Sequence, residues 1–91
     1  MLQKSLTTTT IGSVSDRALL LDFRAANEKK PEKAIKLEKE AVTLISEVTA
    51  ENTLLAANLH ANLGGLYKQT SKLELAKQHM ETGIHLLEQY G

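Results

Sequence analysis

From Ser13 onward, apolar residues return every three or four positions with polar ones between them, in four stretches separated by short breaks. That period keeps one face of a helix apolar, so it predicts an all-α fold of four helices. In the first stretch Val14, Ala18, Leu21 and Ala25 form one stripe, and Leu19, Phe23 and Ala26 form a second. The combined arc is broad for a surface helix. Ser13 or Ser15 can cap its start by accepting an unpaired backbone N–H, which puts Asp16 in the electropositive first turn.

This helix should run to about Asn27, because Glu28-Lys29-Lys30-Pro31 follows. The residue before a proline is pushed out of the α region, while proline itself suits the first turn of the next helix. Helix two therefore begins near Pro31, with Ala34, Leu37, Ala41, Leu44 and Val48 at spacings of 3, 4, 3 and 4 and Ile35, Val42 and Ile45 widening the face. Thr49 to Thr53 interrupts the pattern, with Thr49 or Asn52 as the cap. Helix three spans 53–69 with Leu55, Leu59, Leu63 and Leu66 as its stripe, accompanied by Ala56, Ala57, Ala61, Gly64 and Gly65. Two glycines inside a helix, each costing about 1 kcal/mol against alanine, imply close packing on a neighbour.

Ser71-Lys72-Leu73-Glu74 reads as a capping box, serine taking the N–H three residues on and glutamate reaching back. The helix it opens carries Leu73, Ala76, Met80, Gly83, Leu87 and Tyr90, with Gly91 as a left-handed C-terminal cap. Short turns between such helices favour antiparallel hairpins, over 13–48 and 52–90. Residues 1–12 are polar and β-branched and are expected to be a flexible leader, outside a helical domain of 13–91. The two hairpins echo one another. Ala34 and Ala76 stand 42 residues apart, and the same offset relates Ala41 to Gly83, Leu44 to Leu86 and Ile45 to Leu87.

Leu63, Gly64, Tyr67, Ala76, Met80 and Gly83 occupy, in register, the places of a Leu-Gly pair, a following Tyr, then Ala, a large residue and a small one on the second helix. In this the chain resembles the tetratricopeptide repeat (TPR) family, in a long-period form, over about residues 57–90. The first hairpin departs from the pattern: the slots of Gly64 and Tyr67 fall on Asp22 and Ala25, with Phe23 as the aromatic at hand. The resemblance implies two stacked hairpins in a short superhelix, with Gly64 and Ala76 small where the helices of the second hairpin cross. It also implies a non-enzymatic scaffold that holds a peptide or protein segment along the first helices of its hairpins. Carried onto this sequence, that face includes Asn58, Ala61, Asn62, Gly65, Lys68 and Gln69. Asn62 matches an asparagine that bonds peptide backbone, whereas Ala61 and Gly65 do not supply the Lys and Asn of the family's carboxylate clamp.

Charge and composition narrow the partners. Eleven Lys plus Arg balance eleven Asp plus Glu, so no long-range field draws in nucleic acid or an anionic membrane. No apolar run is long enough for a signal peptide or a membrane span, and a cytoplasmic setting is the expectation. With no cysteine there is neither a disulfide framework nor a thiolate metal site. His79 and His85 are six residues apart on one helix, off the three- or four-residue spacing of a ligand pair. No catalytic constellation and no cofactor site stands out.

Surplus apolar surface is the remaining clue. Solenoid repeats each bury their faces on neighbours, and two repeats leave much uncovered. Leu19, Leu20 and Phe23 are therefore expected to meet something further: a second copy in a homo-oligomer, a bound helix, or further repeats of a parent chain. The rival expectation is a structural helical bundle that homodimerises through its stripes with no groove ligand.

Overall fold

The computed structural model describes residues 13–90. The expected leader over 1–12 and the expected cap at Gly91 lie outside them. Four helices follow in order, α1 (Val14–Ala26), α2 (Pro31–Leu44), α3 (Thr53–Gln69) and α4 (Leu73–Tyr90). The fold is all-α. α1 packs on α2 and α3 on α4 as two hairpins, α2 joins the hairpins through α3, and α1 also touches α3.

Each helix end has a local cause. Ser13 caps α1, its Oγ accepting the Asp16 N–H at 3.0 Å, and Asn27 closes it with its backbone N–H on Phe23 and Arg24 carbonyls. Pro31 opens α2 at a position where a missing N–H costs nothing. α2 stops at Leu44, a turn short of the Val48 that the spacing suggested, and Val48 reaches the core from the loop instead. Asn52 holds that loop together rather than capping α3. Its Oδ1 accepts the Thr49 N–H at 2.8 Å and its Nδ2 donates to the Glu47 carbonyl at 3.1 Å, and no side-chain cap bond forms to the helix.

The expected capping box at Ser71 is not made. Ser71 takes φ 64°, with its N–H on the Lys68 carbonyl and the Lys72 N–H on the Tyr67 carbonyl. That pair of bonds is a Schellman ending of α3, in which Ser71 occupies the left-handed position glycine prefers. Lys72 then starts α4 by accepting the Ala76 N–H. The turn is too tight for one serine to serve both helices.

Small residues dominate the interior. Ala18, Ala25, Ala34, Ala41, Ala56, Ala57 and Ala76 are all buried, while Leu59 and Leu63 are the large apolar side chains sealed completely. Ala18, Ala41, Ile45, Ala56 and Leu59 join three helices in one cluster, and Leu63, Tyr67 and Ala76 form a second between α3 and α4. Backbones therefore approach closely. A Cβ on Gly64 would lie 2.7 Å from Met80 Cγ and 3.0 Å from the Ala76 carbonyl, and one on Gly83 would lie 3.1 Å from the Ala57 carbonyl. Gly64 and Ala76 thus meet at the helix crossing as the sequence implied. Gly65 meets nothing within 4 Å.

The 42-residue echo holds in burial for Ala34 and Ala76 and for Ala41 and Gly83, but Ile45 is buried while Leu87 is exposed. Among the described residues α4 packs chiefly on α3, and its larger stripe residues Leu73, Met80 and Leu87 stay exposed around a seam of Ala76 and Gly83. Phe23 is likewise exposed, and the slot matching Tyr67 is filled by buried Ala25.

Candidate functional site

A groove of about 360 Å³ runs between α1 and α3, the first helices of the two hairpins. α3 contributes Ala61, Asn62, Gly65 and Gln69 to one wall, and α1 contributes Asp22, Ala25 and Ala26 to the other. Half of the residues in the two walls are alanine or glycine, and Leu66 completes the α3 side. Asn62 Nδ2 donates to Asp22 Oδ1 at 2.9 Å and ties the walls together.

The bottom is closed from α2 by Glu38, which is only 1 % exposed. Its Oε2 has no hydrogen-bond partner among the described residues. Burial, then a hydrogen bond to Asp22 and the negative charge of Asp22, push its carboxyl up to about 8. Glu38 therefore holds a proton through neutral pH. It was not singled out from the sequence, although the signal is there: Ala34, Glu38, Ala41 and Ile45 sit at spacings of 4, 3 and 4, which sets a carboxylate on the buried stripe of α2.

Four of the six groove residues expected on α3 thus share one cavity. Asn58 and Lys68 do not; both are exposed on α3 outside its lining. Leu19, Leu20 and Phe23, expected as one surface, are 50 %, 55 % and 66 % exposed but part company. Leu20 lines a wider cavity of about 720 Å³ between α1 and α2, with Leu21 and Leu44 as its floor and Arg17, Lys36 and Lys39 on its rim. Leu19 and Phe23 line neither cavity.

On α3 and α4 a second polar cluster forms that no within-helix spacing could reveal. His60 Nδ1 and His79 Nδ1 are 3.0 Å apart, their rings stack at 5.2 Å, and Tyr67 stacks on His79 at 5.5 Å. Burial lowers the pKa of both rings, followed by electrostatic repulsion, from His79 on His60 and from Lys39 on His79. A bond between two Nδ1 atoms needs one to carry the hydrogen, so at least one ring is neutral there. Among the described residues no group of three His, Asp or Glu side chains is placed to hold a metal ion, and no helix is long and apolar enough to cross a membrane.

No protein-family model, curated protein or solved structure matches the chain.

Proposed function

We propose that this chain is a protein-interaction module of the tetratricopeptide-repeat kind, a scaffold or a section of one, which holds a segment of another polypeptide in the groove between α1 and α3. The observation that carries this reading is the groove itself. It lies between the first helices of both hairpins, and its wall is built from Ala61, Asn62, Gly65 and Gln69. Alanine and glycine walls leave room for an extended backbone, and amide side chains at the lip offer it hydrogen bonds. Support for the repeat kind comes from the Leu63-Gly64, Tyr67, Ala76 and Met80 register, whose small members meet where α3 and α4 cross. The role is non-enzymatic, and a cytoplasmic setting belongs to the same proposal.

Gly65 supplies a clean test, since a side chain there enters the groove without striking the fold. Peptides selected from a displayed library against the full chain should lose binding to Gly65→Leu while its circular dichroism is unchanged. Peptides that bind this variant as well as the parent would overturn the groove assignment.

A second reading is favoured by a different observation. The outer faces of α1 and α4 carry exposed Leu19, Phe23, Leu73, Ile84 and Leu87, the surface that a homodimerising bundle, or further repeats of a parent chain, would cover. A stable dimer in solution that ignores every selected peptide would favour the bundle.

A further inference from the structure

Among the described residues the groove is lined by two carboxylates and by no cation. Asp22 comes from α1 and Glu38 from α2, and what α3 presents to them, Asn62 and Gln69 among alanine, glycine and leucine, is uncharged. A buried carboxylate is ordinarily paired or fully hydrogen-bonded, because leaving it unpartnered forfeits its hydration with nothing in return. Among the described residues Glu38 is bonded to Asp22 alone, its Oε2 takes no donor there, and no cation neutralises the pair. Asp22 already accepts one bond, from Asn62. The pair shares a proton and keeps one negative charge that a cationic donor could meet.

We infer that the Asp22–Glu38–Asn62 cluster is the seat for one arginine side chain of the polypeptide held in the groove, its guanidinium taking the place of the proton that the two carboxyl groups share. Arginine fits better than lysine for three reasons. Its planar fork donates to two carboxylates at once, it is less strongly hydrated and so gives up water at lower cost, and it cannot give up its charge there. Ala25, Ala26, Ala61 and Gly65 give the groove short apolar lining along which the arginine stem can lie. This seat rests on the peptide-groove reading and adds the chemistry of the bound segment.

Seating a cation changes the proton balance. Glu38 is pushed up to about 8 in the unliganded groove by burial and by Asp22, so at neutral pH it is mostly a neutral acid. The guanidinium favours the ionised form, and the Glu38 proton is released to solvent as the ion pair forms. Affinity therefore rises as pH rises towards the Glu38 value and levels off above it. Asp22 is the charged group against Glu38, bonded to it, and α3 faces the pair with neutral groups.

The test is a titration of the isotope-labelled full chain with a capped alanine–arginine–alanine tripeptide, followed by amide shifts. The matching citrulline tripeptide serves as a neutral isostere. The arginine peptide should shift Asp22, Glu38, Ala61, Asn62 and Gly65 together and bind at least about fivefold more tightly than the citrulline one. Its affinity should rise about tenfold or more between pH ~6.5 and ~8.5. Glu38→Gln, which keeps the shape, should weaken binding and flatten that pH profile, and Asp22→Asn provides a second variant should the first lose its fold. Equal binding of both peptides in the groove would overturn the arginine seat while leaving the groove as a peptide site. Binding by neither would overturn the seat, and the display selection with Gly65→Leu then decides the groove on its own.

Discussion

Glu38 shows how one residue can govern the pH response of a small helical protein. Its folded value, about 8 against an ordinary 4.5, is raised, so the native state keeps a proton that the unfolded chain gives up. Its stabilising contribution is therefore full below pH 4.5 and is lost as pH rises towards 8. His60 and His79 act at the other end. Their values are lowered from 6.5, so what they contribute is present above that and lost as pH falls through their folded values. Thermal unfolding of the parent should fall by about 5 °C or more between pH ~6 and ~9, since one pK unit is worth about 1.4 kcal/mol and a domain of this size shifts several degrees per kcal/mol. Glu38→Gln should remove that alkaline loss and leave the acid loss in place; an unchanged alkaline slope would show that Glu38 is not the group responsible. The neighbouring glycines separate in the same way by what surrounds them. At Gly64 a methyl group meets Met80 and the Ala76 carbonyl, so Gly64→Ala should destabilise by roughly 1–2 kcal/mol despite its better helix propensity. At Gly65 a methyl group meets nothing, and Gly65→Ala should stabilise by up to about 1 kcal/mol in urea unfolding.

At the scale of elements, the helices were legible because an apolar residue every three or four positions has one economical solution, a helix with one face against the rest. Pro31 marked one start, and Ser13, one of the two serines offered, marked another, because their chemistry is local: a fixed φ in one, an oxygen within reach of an N–H in the other. The end of α2 and the start of α4 were not legible for the opposite reason. Whether Val48 continues a helix or drops into the core from a loop depends on how far α2 runs before α3 must begin, and Asn52 settles it by bonding back to Glu47 and Thr49. Ser71 offered a plausible cap for α4, but the antiparallel return from α3 demands a left-handed residue at that point. Ser71→Gly should accordingly raise stability by about 0.5–1 kcal/mol, measured by the midpoint of urea unfolding. Were Ser71 an N-cap, the same change would lower it.

Over the whole molecule, two hairpins bury a core made largely of alanine and leave wide apolar faces on the outer side of α1 and on α4. If those faces are contact surfaces, replacing Leu19 and Phe23 with serine should lower the average mass seen by sedimentation across a concentration series, or weaken partner binding. No change in either would show that the α1 face stays solvated in the assembled protein. On the groove, the sequence supplied one wall and not the other. Ala61, Asn62, Gly65 and Gln69 recur along a single helix, so their shared face is set by helical geometry alone. Asp22 lies 40 residues from Asn62, and Glu38 belongs to a third helix; their convergence exists only once the hairpins have packed. The same holds for His60 and His79, brought to 3.0 Å across two helices. By itself the sequence determined what is periodic and local: four helices, their antiparallel pairing, and the small residues at the α3–α4 crossing. Tertiary structure alone decided which polar groups lose their water together, because desolvation and charge depend on neighbours in space, and the order of residues along the chain does not encode them at short range.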